Sequence, residues 1–133
     1  METSDPYFEQ SLNNGLIVEV QDLTHRYYGD YHKVTLDVTL RVPLVGGLFS
    51  DQDHPGEALE KARRILGDEA RSVQRLERMG VPSDMVETIR TRLWESYQRS
   101  SFGYFQRPDY PAKLVRQLLD KRKKTRPFLQ PVS

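Results

Sequence analysis

His32-Lys33-Val34-Thr35-Leu36-Asp37-Val38-Thr39-Leu40-Arg41-Val42-Pro43-Leu44 alternates apolar with polar side chains for its whole length. Six apolar residues, Val34, Leu36, Val38, Leu40, Val42 and Leu44, fall on one side, and Lys33, Thr35, Asp37, Thr39 and Arg41 fall on the other. A period of two marks a strand with one face buried and the other in water. Immediately upstream, Tyr28-Gly29-Asp30-Tyr31 supplies Gly-Asp for a two-residue hairpin turn. Gly15-Leu-Ile-Val-Glu-Val20 and the residues from Leu23 to Tyr28 are rich in β-branched and aromatic side chains, as strands are. The expectation is an antiparallel hairpin over residues 15–44.

A turn at Gly29-Asp30 sets Leu23 against Leu36 and His25 against Val34. Continued unchanged, that register buries Gln21 and Glu19 and turns Val20 and Val18 away from the core. One extra residue near Gln21-Asp22 corrects it, setting Val20 against Val38, Val18 against Leu40 and Leu16 against Val42. The sequence therefore predicts a bulged hairpin with Leu23 on the buried face and Asp22 pointing away from it.

Downstream, Ala58, Leu59, Ala62, Ile65, Leu66, Val73 and Leu76 recur at spacings of three, four and seven before Gly80-Val81-Pro82, which predicts a helix over about 55–79. Asp51 and Asp53 precede Pro55 as candidate caps. Ser83 reads as the N-cap of a second helix, about 83–101, with Met85, Val86, Ile89, Leu93 and Tyr97 as its apolar stripe. Asp109-Tyr-Pro111 opens a third, about 111–124, which carries Ala112, Val115, Leu118 and Leu119. The fold expectation is thus a single α+β domain over 1–126, an N-terminal bulged antiparallel hairpin packed against three C-terminal helices, with 127–133 as a flexible tail. Both hairpin strands are then edges.

The chain has 133 residues, 37% of them hydrophobic and 29% charged, which suits one core of ordinary size. The longest uncharged apolar run, from Val42 to Phe49, is far short of the roughly 20 residues a membrane span needs. There is no cysteine for a disulfide framework or a thiolate metal site. The N-terminal segment lacks the basic start and apolar stretch of a signal peptide. By elimination a soluble cytoplasmic protein is expected, with no membrane partner. The net charge of +1 hides an asymmetry, because residues 1–56 hold nine acids against three bases while residues 57–133 hold ten acids against 17 bases. Such a dipole draws an anionic partner to the basic half or draws the two halves together.

No catalytic motif is legible. His25, His32 and His54 form neither a His-x-x-x-His nor a Glu-x-x-His pair, so no metal site is expected. Gly46-Gly47 lacks the Lys-Ser or Lys-Thr of a phosphate loop, there is no Gly-x-Ser-x-Gly, and neither a cofactor nor an enzymatic activity is expected. Two aromatic groups stand out. Tyr27, Tyr28, Tyr31 and His32 sit at the hairpin tip as a candidate interaction surface, since tyrosine buries much area with few rotatable bonds. Phe102, Tyr104, Phe105 and Tyr110 form the second, which reads equally well as core.

The expected function is a protein-interaction or assembly module with a protein partner, homodimeric because exposed strand edges invite a second copy. The alternative is an accessory nucleic-acid binder using Lys113, Arg116, Lys121, Arg122, Lys123, Lys124 and Arg126 as phosphate contacts.

Overall fold

The alternating stretch becomes the thirteen-residue strand β4, Tyr31–Pro43, and the remaining structure is arranged around it. A computed structural model of the protein describes residues 7–129, the last seven by backbone alone. In chain order come β1 (Phe8–Ser11), β2 (Ile17–Asp22), β3 (His25–Tyr28), β4, α1 (Pro55–Leu66), β5 (Glu69–Pro82), a 3-10 turn at Ser83–Met85, α2 (Val86–Phe105) and α3 (Tyr110–Leu129). The class is α+β, an antiparallel sheet of five strands with three helices. β1 pairs with β2, β2 and β3 lie end to end along one edge of β4, and β5 covers the other edge.

The sheet buries one face. Val18, Val20, Leu36, Val38, Leu40 and Val42 are at most 2% exposed and meet Ala62, Trp94, Leu114 and Val115 of the helices. A ladder of rings extends this core, with Phe8 4.8 Å from Trp94, Trp94 5.8 Å from Phe102, Phe102 6.0 Å from Phe105 and Phe105 5.2 Å from Tyr110 between centroids. The second aromatic group is therefore core, apart from Tyr104. Asn14 fastens the β1–β2 turn to the end of α2, its Nδ2 donating to the carbonyls of Phe105 at 2.7 Å and Arg107 at 2.8 Å.

Four expectations are corrected. The helix expected over 55–79 ends at Leu66, where Gly67 with φ +92° breaks it, and the remainder is strand β5. Leu76 lies opposite Leu36 and Ala70 opposite Val42, while Val73 lies opposite Thr39 on the other face. Val73 and Leu76, three apart, match a helix stripe by spacing but point to opposite faces of the sheet. Because β5 and β2 flank β4, that strand is central, and the expectation that both hairpin strands are edges fails. The extra residue sits at Tyr27, closer to the turn than Gln21-Asp22. From there Val20 meets Val38 and Val18 meets Leu40 as the pattern requires, but Asp22, not Leu23, stands opposite Leu36. Asp22 then turns toward α2, where Arg90 Nη1 reaches Oδ2 at 2.9 Å, and Leu23 is left 46% exposed. Finally α3 runs to Leu129, past the expected end at 124 and into the segment expected as a tail, whose last residues, 130–133, lie outside the described residues.

The caps differ as well. His54 holds the N-cap position of α1 without a side-chain cap bond, and Asp51 instead pairs with Arg116 at 3.7 Å. Ser83, expected as the N-cap of a helix over about 83–101, opens the 3-10 turn and donates its hydroxyl to Asp30, while α2 has Met85 at its N-cap and runs from Val86 to Phe105. Met85 is exposed, and the most buried residue of the first three turns of α2 is Trp94.

On the uncovered face the polar side chains are paired across strands. Arg41 Nε and Nη2 donate to the two carboxylate oxygens of Glu69 at 3.0 and 3.2 Å, and Nη1 donates to Glu19 at 3.3 Å and lies 3.9 Å from Glu9. One guanidinium thus ties β1, β2 and β5 to β4. Hydrogen bonding to Arg41 and Arg71 holds the Glu69 carboxyl below its usual range, and bonding to Glu69 raises Arg41. Arg75 forks onto Asp37 at 2.7 and 2.9 Å and lowers its pKa in the same way.

Two outcomes are expected from this packing. Val38→Asp should cost several kcal/mol in chemical denaturation by burying an unpaired carboxylate, whereas Gln21→Lys, on the uncovered face, should stay within about 0.5 kcal/mol. Tyr97, whose hydroxyl donates to Gln74 Oε1, is pushed up to about 12, chiefly by burial. Its folded pKa lies above the unfolded one near 10, so the stability it contributes is complete below pH 10 and is lost as pH rises toward 12. Equilibrium unfolding across that window should show the decline, and Tyr97→Phe should flatten it.

Candidate functional site

The candidate surface is the end of the sheet where the hairpin turns. Gly29, at φ +53°, and Asp30 occupy the turn, and Tyr28 stands directly opposite Tyr31. Tyr31 is in turn opposite Pro82 of β5, so three strands present Tyr28, Tyr31 and Pro82 in one row. Directly opposed residues share a face of a sheet. Tyr27 occupies the bulge, and its hydroxyl lies 4.0 Å from where a Cβ would stand on Gly80. Gly80 itself has φ +68° and belongs to a second bulge, since β5 carries one residue more than β4 between Arg78 and Val81. Two bulges side by side strengthen the local twist and turn the aromatic side chains outward.

Tyr28 is 73% exposed, Tyr31 46% and Tyr27 45%. Three phenols with little cover offer large apolar area and three hydroxyls at low conformational cost, which suits contact with another macromolecule. His32 differs from the tyrosines. It is half-buried between Arg26 and Val81, and its Nδ1 is buried without a hydrogen-bond partner.

Asp30 anchors this end to the helices. Its carboxylate accepts the Ser83 hydroxyl and, at 3.4 Å, the Ser83 backbone N–H. These bonds hold the Asp30 carboxyl below its usual range, with smaller contributions from His32 and Arg26. The link carries the hairpin tip onto the turn that starts α2, so the tyrosines stand on a fixed base.

Among the described residues, the basic side chains singled out on α3 are not gathered on one face. Lys113 Nζ lies 5.6 Å from the centroid of the Tyr104 ring, Arg116 pairs with Asp51, and Arg122 Nη1 donates to the Ile65 carbonyl at 3.1 Å. Lys121 lines an open groove of about 460 Å3 with Leu66, Arg71 and Leu118. The side chains of Lys123, Lys124 and Arg126 lie outside the described residues. Asp22 and His25, on the tip side of β2 and β3, are taken up locally: the Asp22 carboxylate accepts the Thr24 N–H and binds Arg90, and the His25 ring lies 3.4 Å from the Leu23 carbonyl. Among the described residues no group of three or more His, Asp or Glu is placed to hold a metal ion, and no helix is long and apolar enough to cross a membrane.

Sequence reasoning missed Met79, which is 56% exposed beside the bulge at Gly80, because the segment resembled helix. Gly80 carried the signal, since a left-handed glycine ends a helix or forms a bulge equally well. No protein-family model matches the chain, and neither a curated protein nor a solved structure matches it.

Two measurements check this geometry. Because Asp30 has a depressed folded pKa, its contribution to stability is present above pH 3.8 and lost as pH falls through the folded value. Ser83→Ala should move the Asp30 carboxyl resonance midpoint up toward 3.8 in an NMR titration. Tyr28→Ser should change the unfolding free energy by less than about 0.5 kcal/mol, the ordinary range for an exposed site.

Proposed function

We propose that the chain is a protein-interaction and assembly module without catalytic activity, that it self-associates as a homodimer, and that Tyr27, Tyr28 and Tyr31 form one of its contact surfaces. The observation that supports this reading is the concentration of uncovered apolar area at one end of the sheet. Tyr27, Tyr28, Tyr31 and Met79 lie on neighbouring strands and are each at least 45% exposed, while Trp94, Phe105 and Tyr110 between the helices and the sheet are buried. Exposed aromatics on a base fixed by Asp30 and Ser83 cost little entropy to immobilise, which is what interface anchors require.

The alternative of nucleic-acid binding through α3 is less well supported by the side chains described. A phosphate-binding face depends on cations free to replace counterions. Arg116 and Arg122 are engaged by Asp51 and by the α1 carbonyl of Ile65, and Lys113 lies over Tyr104.

Sedimentation equilibrium from low to high micromolar protein tests the reading. The weight-average mass is expected to rise from near 15.5 kDa toward twice that value and to respond weakly to salt. A mass that stays near 15.5 kDa throughout would overturn the homodimer. Binding of a labelled oligonucleotide that falls steeply with salt would favour the alternative.

A further inference from the structure

β5 is fourteen residues long and, among the described residues, pairs on one side only, with β4. An unpaired strand edge offers a row of N–H and C=O groups to another strand. By alternation along β5, Arg71, Val73, Arg75, Glu77 and Met79 share the uncovered face, and Val73 and Met79 are 59% and 56% exposed. Neither belongs to the buried cluster. Within the chain Val73 faces only Thr39 across the strand pair, and Met79 stands where the second bulge begins.

We infer that β5 pairs antiparallel with β5 of a second copy about a two-fold axis at Leu76, setting Val73 against the partner's Met79 and Arg75 against the partner's Glu77. This rests on the assembly reading above and identifies the edge and the register. In a continuous sheet, directly opposed residues must share a face, so a two-fold axis perpendicular to the sheet has to pass at a residue rather than between two. That leaves few registers, and the side chains separate them.

An axis at Val73 opposes Arg71 to Arg75 and Glu69 to Glu77. One at Arg75 opposes that arginine to itself, and one at Glu77 does the same to the glutamate. Like charges directly opposite are destabilising. An axis at Gln74 sets Arg71 against Glu77 but leaves Val73 facing Arg75 and Met79 facing Glu69. An axis at Arg78 leaves Met79 facing Glu77. Of these axes, only the one at Leu76 meets charge with opposite charge and apolar with apolar, twice each by symmetry. It also sets Leu76, half-buried at the margin of the core, beside its own copy. Arg75 and Glu77 keep their intrachain neighbours, Asp37 and Lys33, so the cross-dimer pair extends an existing row of alternating charge.

The protein has no cysteine, so single thiols report the register without background. Leu76→Cys places two thiols on directly opposed residues, whose Cα atoms lie about 4.5–5.5 Å apart, within disulfide reach. Gln74→Cys places them about 14 Å apart. Mild oxidation is expected to give a covalent dimer of the first variant and not the second.

Complementation supplies the second arm, using exposed positions so that each variant folds. Met79→Lys alone and Val73→Glu alone should each weaken self-association about tenfold or more. Mixing the two should restore it as a heterodimer, in which the introduced acid of one chain opposes the introduced base of the other and the symmetry-related contact keeps its native Val73 and Met79. Circular dichroism and thermal melting monitor the fold of each. A dimer that survives Met79→Lys, or that cross-links through Gln74→Cys instead, overturns this edge and register while leaving the assembly reading standing. A native protein that stays monomeric at every concentration overturns both.

Discussion

Val34, Leu36, Val38, Leu40 and Val42 project from one side of β4, and every one of them is at most 2% exposed. Burying a Val or Leu side chain contributes about 1.5–3 kcal/mol, so this single row is worth roughly the net stability of a small domain. It has to be covered, and a helical layer above the sheet covers it. The same strand carries backbone donors and acceptors on both edges, and each buried one left unpaired would cost as much as a lost hydrogen bond. β2 and β3 satisfy one edge and β5 the other. The placement of the remaining elements follows from these two requirements.

The opposite face obeys different physics. Among the described residues no helix lies above it, and its polar side chains face water, where an isolated ion pair contributes little. Arg41 is the exception by geometry. A planar fork held by both oxygens of Glu69, with Glu19 in hydrogen-bond reach and Glu9 beside it, fixes the relative positions of four strands. It also separates three carboxylates that would otherwise face each other.

Ion pairs join the acidic and the basic part of the chain in both senses. Asp22 meets Arg90, Asp37 meets Arg75, Lys33 meets Glu77, Arg41 meets Glu69 and Asp51 meets Arg116, each joining a residue from the first 56 to one beyond. Three of these pairs set an acid of the first part on a base of the second and two set a base on an acid, so they fasten the two parts together while leaving the sign of each unchanged. The uncovered apolar area includes the tyrosines at the hairpin end and the pair Val73 and Met79 along β5. Exposed apolar groups on a strand edge are a liability in a monomer unless a partner covers them.

The sequence by itself determined β4, the Gly29-Asp30 turn, the pairing of Val20 with Val38 and Val18 with Leu40, the starts of α1 and α3, and the class α+β. These are local signals, a period of two, a turn dipeptide and prolines at helix entries, and they need no knowledge of distant segments. The Asn14-Gly15 turn carried a local signal for β1 as well, but Phe8–Ser11 is too short and polar to read as a strand without its partner. Tertiary structure alone decided β5. Val73 and Leu76 are three residues apart, a spacing that fits a helix stripe as well as two faces of a strand, and only the unsatisfied second edge of β4 selects the strand. The same holds for Asp22 and Leu23, whose faces depend on where one extra residue is inserted, and the turn geometry placed it at Tyr27. The tyrosine surface was legible as a cluster of residues. Its extension to Pro82 and Gly80, and the uncovered edge beside it, required a segment distant in sequence to be brought alongside β4, and no local pattern encodes that.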